Sequence, residues 1–441
     1  MTDDIFLGGQ NIAICNFSIS TDKTIPVSTE TFVVSSDVDD GYIRAMAPSL
    51  PVPILHPDKL TRKAESFVDH FTGHVLYAVK CNPDVTMLKA MYKGGVRRFD
   101  VASIGEVRLI SGLFPDAKIY FMHPIKAPEA IREAYLKYGV RCFVLDYKAE
   151  IDKILNETDG DKNLELFVRL AVPKDTAGGG VATDFARKFG AKPDEAAELL
   201  KLCRPYCAKL GLSFHVGTQC ETTDIYSKAV MHAADVIKKS GVQVDVLDVG
   251  GGFPADLNSD APVPPVKAFT SAIADAVQYY NLEKLELLCE VGRGLVACAG
   301  SLVVRVEGRK DDLLYINDGT YGGLFEAGGS VGLPYPAHLI RRDEHREHLP
   351  LKAFKMAGPT CDSVDMMNGP FMLPDDIQVG DWIRLEQLGA YGEVSRTDFN
   401  GFGLVQKIIV RTESYLSEDL SISSLEDRFY QKPRLISMAS Y

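Results

Sequence analysis

The sequence predicts an α/β fold: a (β/α)8 barrel joined to a β-rich domain built from both chain ends. Three observations predict it. Short apolar, β-rich runs alternate with stretches of helical spacing between residues 55 and 300. The runs number eight, the strand count of a closed barrel, and the span of roughly 245 residues suits that barrel better than a doubly wound open sheet. After residue 300 the helices drop out, and strands are joined by Gly, Pro and Asp turns.

Taken in order, residues 1–54 are strand-like, clearest at Thr31–Ser35, with little helical periodicity, and are expected to pair into the β-domain. Residues 55–300 carry the barrel. Its eight runs are Val75–Lys80, Arg98–Ser103, Lys118–His123, Cys142–Asp146, Leu164–Val172, Leu212–Gly217, Val246–Gly252 and Leu285–Arg293. Helical spacing separates most of them, as in Lys59–Phe71, Val85–Tyr92, Ala127–Tyr138, Asp194–Lys209, Thr223–Lys239 and Val266–Tyr279. Residues 301–441 form the C-terminal β-domain, with strands at Leu302–Arg309, Leu313–Asn317, Asp381–Gln387 and Val405–Arg411. Ala327–Pro336 reads as a surface loop, and the last two dozen residues as a partly ordered tail.

Composition narrows the class. The 441 residues hold 48 Lys+Arg against 60 Asp+Glu, a net charge of −12. Such a balance argues against nucleic acid or an anionic membrane as partner, because both attract basic surfaces. With 46% apolar residues the chain can bury a large core. It has neither a run of 18 apolar residues nor a basic-then-apolar leader. Nine cysteines are scattered from Cys15 to Cys361 without disulfide-like density. A cytoplasmic protein is expected.

In a barrel of this kind chemistry gathers where the strands end. Those ends carry Lys80, Asp100 with Ser103, His123, Asp146, Arg169, His215, Gly250–Gly252, and Glu290 with Arg293. A lysine closing an apolar strand can be desolvated, which lowers its pKa and makes the amine nucleophilic; it can equally snorkel outward. Three consecutive glycines let bare N–H groups approach a phosphate, or simply make a tight turn. Glu290 could hold a pyridine nitrogen protonated while Arg293 grips a phosphate, or the two could form a rim salt bridge. His215 could stack on a flat ring or serve as a structural hydrogen-bonder. In the β-domain, Cys361 beside Asp362 could pair a proton donor with a cation-binding carboxylate, or be a buried thiol and a turn cap. Together the parts suit a phosphorylated aromatic aldehyde. His345 and His348 lie in a run of alternating charge, and Cys203 and Cys207 lack nearby ligand partners, so no metal is expected.

These residues stand in a recognisable order. Tyr-Ala-Val-Lys-Cys-Asn (77–82), Phe-Asp-Val-Ala-Ser (99–103), Lys-Phe-Gly (188–190), His-Val-Gly (215–217), Gly-Gly-Gly-Phe-Pro (250–254) and Glu-x-Gly-Arg (290–293) are followed by four more motifs. These are Asn-Asp-Gly-x-Tyr-Gly (317–322), Cys-Asp-Ser (361–363), Gly-Ala-Tyr (389–391) and Phe-Asn-Gly-Phe (399–402), the last two completing a set that spans about residues 50 to 410. The chain resembles the fold-type III pyridoxal-phosphate decarboxylases, the group with ornithine, lysine and diaminopimelate decarboxylases, and most of all the bacterial ornithine decarboxylases. The resemblance implies an alanine-racemase-like barrel, pyridoxal 5'-phosphate as cofactor, and a homodimer with shared active sites. Lys80 would be the Schiff-base lysine, His215 the residue stacked on the ring, and Glu290 the partner of the ring nitrogen. Gly250, Gly251, Gly252, Arg293 and Tyr391 would line the phosphate. Cys361 and Asp362 would reach in from the other subunit, one to protonate the product carbon and one to hold the substrate's distal amine. Asp100, Glu106 and Arg169 match supporting positions, Arg169 on the substrate side. The expected reaction removes the α-carboxylate of a basic L-amino acid, ornithine or lysine first, to give a diamine and CO2.

Two positions depart from that pattern. Ala186 stands where a phosphate-loop serine is common. Ser330 stands where ornithine decarboxylases place an acid facing the distal ammonium, and Glu326 is the nearest acid. Either Asp362 suffices, Glu326 substitutes, or the substrate is a modified or longer diamino acid of a specialised pathway. A racemase, and a regulator with this fold that has lost catalysis, are the remaining alternatives; retention of Lys80, Glu290, Arg293 and Cys361 argues against the second.

Overall fold

The computed structural model describes residues 30–35, 37–172, 188–257 and 262–411. Ala186, Cys15 and the C-terminal tail therefore lie outside the described residues. The chain enters through β1 (Glu30–Val34), a short helix α1 (Asp40–Met46) and β2 (Val52–Leu55). The sequence offers little periodicity for α1; its start is fixed instead by a cap, the Asp39 carboxylate accepting the Tyr42 N–H at 2.7 Å.

Strict alternation follows: α2 (Pro57–His70), β3 (His74–Ala78), α3 (Val85–Lys93), β4 (Arg98–Val101), α4 (Ile104–Leu113), β5 (Lys118–Phe121), α5 (Pro128–Tyr138), β6 (Cys142–Leu145) and α6 (Lys148–Glu157). Then come β7 (Glu165–Leu170), α7 (Pro193–Cys203), β8 (Lys209–Phe214), α8 (Asp224–Ser240), β9 (Val246–Asp248), α9 (Val266–Tyr279), β10 (Glu286–Val291) and the short α10 (Arg293–Val296). Strands β3 to β10 pair in parallel, and β10 closes on β3 through Leu288↔His74. The barrel prevails over the open sheet.

Two boundaries differ from expectation for local reasons. The predicted helix Asp194–Lys209 stops at Cys203, where Pro205 brings in a 3-10 turn. There the Arg204 guanidinium donates to the carbonyls of Cys207 (2.7 Å) and Ala208 (3.1 Å), turning the chain into β8. Strand β3 ends at Ala78 rather than at Lys80, because Val79–Cys81 form a 3-10 turn held by Tyr77 Oη donating to the Asn82 carbonyl at 3.0 Å.

Inside the barrel, Leu76, Tyr120, Met122, Cys142, Val144, Phe167, Val246 and Leu288 form a separate buried cluster. Gly211 makes room for it: a Cβ there would lie 2.3 Å from the Phe167 ring. The N-terminal end is closed by ion pairs, Arg98–Glu286 at 3.0 Å, Lys209–Glu286 at 2.7 Å and Lys118–Glu165 at 2.7 Å. Packed below and paired at the floor, the barrel is left with its C-terminal mouth for chemistry.

The second domain adds β11 (Gly300–Lys310), β12 (Leu313–Ile316), β13 (Ala337–Ile340), β14 (Leu351–Ala357), β15 (Met366–Pro374), β16 (Trp382–Leu385) and β17 (Gln406–Val410). With β1 and β2 they form one nine-stranded mixed sheet in the order β1-β17-β2-β11-β12-β14-β15, with β16 joining β11 to β13. The parallel pair β1–β17, in register Glu30↔Gln406, brings the first and last described strands side by side. Ala327–Pro336 is only partly a surface loop: Ala327, Leu333 and Tyr335 are buried. The charged run after Arg341 is likewise mixed. Arg341 pairs with Asp376 at 2.5 Å and Arg346 with Asp381 at 2.6 Å, while His345 and His348 are exposed.

Candidate active site

Parallel strands deliver the predicted residues to one mouth. Lys80 sits in the turn after β3, Asp100 on β4, Arg169 on β7, His215 directly after β8, Gly250–Gly252 after β9 and Glu290 on β10. Lys80 Nζ stands 4.0 Å from Asp100 Oδ2; the lysine side chain keeps 46% of its surface open to the mouth, the aspartate 5%. The expected depression of the lysine pKa is not found. Burial does pull it down, but Asp100 and Glu290 outweigh burial and raise it, so Lys80 is held as an ammonium.

A cluster of acids surrounds that ammonium. Burial pushes the Asp100 carboxyl up, opposed by Lys80 and Arg169. Burial also lifts Glu106 to about 7, against the Ala102 N–H that it accepts at 2.6 Å. Deeper lie Glu290 and Asp248, on adjacent strands paired at Leu288↔Asp248. Burial first, then repulsion from Asp248 and Asp100, holds Glu290 well above the carboxylate range. Burial lifts Asp248 to about 7, although it accepts the Gly250 N–H at 2.9 Å. At neutral pH this pair retains a proton next to the position proposed for a ring nitrogen.

His215 is held neutral, since burial and then the Arg169 and Lys80 charges depress its pKa. Its Nδ1 accepts the Gly217 N–H at 3.1 Å, which places the proton on Nε2. The glycine loop packs against this ring: a Cβ on Gly251 would stand 2.8 Å from His215 Nε2 and 2.6 Å from the Glu290 carbonyl. At Gly250, φ is +67° and a Cβ would meet the Phe214 carbonyl at 2.0 Å. Bare backbone is thus required there, as close approach to a phosphate also requires.

Arg293 opens α10 behind the loop and is 5% exposed. Burial works against its charge, yet Glu326 more than compensates. Glu326 grips it bidentately, Nη2–Oε1 at 2.6 Å and Nη1–Oε2 at 2.8 Å, and Tyr335 Oη donates to the same carboxylate at 3.1 Å. The guanidinium lies 5.1 Å from the centre of the Tyr391 ring. Tyr391, at φ +55°, donates its N–H to the Cys81 carbonyl at 2.9 Å, and Asn82 Nδ2 donates to the Gly389 carbonyl at 2.8 Å. These bonds fasten the β-domain to the turn that carries Lys80.

Cys361 and Asp362 occupy the loop between β14 and β15. Cys361 is exposed, and its N–H donates to Asn400 Oδ1 at 3.1 Å. Asp362 accepts Tyr321 Oη at 2.5 Å, and this bond, followed by the Val364 N–H, keeps its pKa below the ordinary value. Ser330 is exposed. Three residues with evident parts in the site had no role in the sequence reading: Asp248, Tyr335 and Tyr321. An acid closing the apolar run Val246–Val249 just before the glycines was the available signal for the first.

Comparison with known proteins agrees with this geometry. Residues 57–297 match the family model described as the pyridoxal-binding domain of pyridoxal-dependent decarboxylases. A lysine/ornithine decarboxylase of Selenomonas ruminantium is 30% identical over 389 residues, covering 84% of this chain and 93% of its own. An ornithine decarboxylase of Caenorhabditis elegans is 30% identical over 365 residues, covering 76% and 81%. The crystal structure of lysine/ornithine decarboxylase from Vibrio vulnificus with putrescine superposes with a TM-score of 0.71 at 29% identity, covering 86% of this chain and 99% of that one. The chain belongs to the pyridoxal-dependent decarboxylase family.

Proposed function

We propose that the chain decarboxylates a basic L-amino acid, ornithine or lysine first, with pyridoxal 5'-phosphate as cofactor, giving a diamine and CO2. The observation that carries this reading is the convergence of Lys80, Asp100, His215, Glu290 and a side-chain-free glycine loop at one barrel mouth. Relatives named for lysine and ornithine, and a structural neighbour that holds putrescine, support the substrate class.

Lys80 would hold the cofactor through its amine. Gly250, Gly251, Gly252, Arg293 and Tyr391 would hold the phosphate, and His215 the ring face. When bound, pyridoxal phosphate supplies the electron-accepting ring that takes up the electron pair left as CO2 departs. The protein's own contribution is electrostatic and protonic. Glu290, kept protonated by burial and by Asp248, would offer its proton to the ring nitrogen. Asp100, 4.0 Å from Nζ, is the near acceptor for the proton that Lys80 must release before its amine can react. Neutral His215 would cover the ring without adding positive charge beside it. Arg169, a second cation beside Lys80 among these acids, is assigned to substrate binding. Cys361 would return a proton to the product carbon, and Asp362, fixed by Tyr321, would bind the distal ammonium.

Cys361 and Asp362 are proposed to act in a neighbouring subunit's site, so that the enzyme is a homodimer; an exposed loop position supports that reading. None of the eight described cysteines is in a disulfide, which supports a cytoplasmic location. Among the described residues no helix is long and apolar enough to cross a membrane.

With Ser330 exposed and Glu326 engaged by Arg293, Asp362 is left as the acid for the distal ammonium, which favours a modified or longer diamino acid as the second reading. The test is a screen of protein with pyridoxal phosphate against ornithine, lysine, arginine, diaminopimelate and N-modified or longer diamino acids, with amines read by mass spectrometry and Lys80→Ala as blank. Turnover of ornithine or lysine is expected. Turnover confined to a modified substrate would select the second reading, and no amine from any substrate would overturn both.

A further inference from the structure

The pair between Arg293 and Glu326 crosses from the barrel to the β-domain at the place assigned to the cofactor's phosphate. It is 4% exposed on the arginine side and 12% on the glutamate side. Both terminal guanidinium nitrogens are taken: Nη1 by Oε2 at 2.8 Å, Nη2 by Oε1 at 2.6 Å and, at 3.5 Å, by Thr218 Oγ1. The third nitrogen, Nε, is buried and without a hydrogen-bond partner. A phosphate therefore meets an arginine whose two-nitrogen fork is already matched to a carboxylate. The carboxylate is not loosely placed either. Tyr335, itself buried, donates to Oε2 at 3.1 Å, and the Leu333 N–H donates to the Glu326 carbonyl at 2.8 Å.

We propose that Glu326 is an intramolecular competitor of the cofactor's phosphate: it holds the Arg293 fork in the unloaded protein and yields part of that fork when the phosphate binds. The inference rests on the pyridoxal-phosphate reading above and adds to it a residue that sets how tightly the cofactor is kept. Two anions of similar fork geometry compete for one guanidinium, and the internal one is pre-positioned. A buried guanidinium deprived of its carboxylate would recover its charge-assisted hydrogen bonds from the phosphate alone, so removing Glu326's charge strengthens the phosphate's hold. Glu326 thereby serves Arg293 and not the distal ammonium of the substrate, which explains why an acid near the Ser330 position does not stand in for the one that is missing.

The test compares pyridoxal phosphate with pyridoxal, which lacks the phosphate, by titrating each into cofactor-free protein. The readouts are equilibrium dialysis and the visible absorbance of the bound aldehyde, with Lys80→Ala as blank. Glu326→Gln is expected to tighten pyridoxal phosphate by about tenfold or more, as the loss of one competing charged hydrogen bond implies, and to leave pyridoxal nearly unchanged. Tyr335→Phe, which removes only the hydroxyl behind the carboxylate, is expected to move the same ratio in the same direction by less. It carries the test if Glu326→Gln does not fold. An unchanged or lowered ratio of the two affinities in the folded variants would overturn the proposal while leaving the cofactor reading intact. Absence of any Lys80-dependent absorbance in wild type and variants would overturn both.

Discussion

Replacing Asp248 by Asn tests the electrostatics beneath the proposed ring site without touching a residue assigned to bind cofactor or substrate. Asp248 is fully buried on β9, and Asn retains an oxygen for the Gly250 N–H that the aspartate accepts at 2.9 Å. Burial holds the Asp248 carboxyl at about 7, against an ordinary value of 3.8. A carboxyl raised in the folded state keeps its proton after the unfolded chain has lost it, so unfolding releases a proton between these two values. The stability this group contributes is therefore fully present below about pH 4 and is lost as the pH rises through about 7. The whole span corresponds to about 4 kcal/mol, and the part between pH 5 and 8 to about 3 kcal/mol. The assay is urea unfolding of cofactor-free protein at pH 5 and pH 8. Wild type is expected to lose about 3 kcal/mol more than Asp248→Asn between the two. Equal losses would refute the reasoning, because Asp248 would then not be the group that carries the proton.

Three further outcomes are expected. Gly251→Ala should fold but lose pyridoxal phosphate binding, since its Cβ would meet the Glu290 carbonyl at 2.6 Å and His215 Nε2 at 2.8 Å; dialysis against cofactor checks it. Asp362→Asn should raise KM for a diamino acid by roughly ten- to a hundredfold, the loss of one charge-assisted bond, with kcat changed less; steady-state kinetics over substrate concentration separate the two. Glu150→Gln should destabilise the protein by up to about 3–5 kcal/mol, because it removes the carboxylate 3.0 Å from the fully buried Lys126 and leaves that ammonium to carbonyl oxygens such as that of Val144 at 2.6 Å; thermal and urea unfolding read it.

The barrel and most of its mouth were legible in the sequence because both rest on local pattern. Eight apolar runs give eight strands, and an ionisable residue at or just beyond an apolar strand, such as Lys80, Asp100 or Glu290, stands at the rim by the geometry of parallel strands alone. What was not legible depends on contacts distant in the chain. The direction of the Lys80 pKa shift is decided by Asp100 and Glu290 outweighing burial, and no spacing rule weighs those terms. Glu326 drew attention as the acid nearest a missing one, yet its partner is Arg293, 33 residues earlier and in the other domain. Helix α1 is set by a capping Asp39 more than by periodicity. Strand β14 was overlooked because Lys352 and Lys355 interrupt its apolar residues, while Phe354, Met356 and Ala357 are the ones it buries.

The most direct test of the central claim is to load the protein with pyridoxal phosphate, reduce it with borohydride and map the labelled peptide by mass spectrometry. A single phosphopyridoxyl label on Lys80, prevented by Lys80→Ala, is the predicted result. A label spread over surface lysines, or unchanged in Lys80→Ala, would contradict the account, because the barrel mouth would then not be where the cofactor is held.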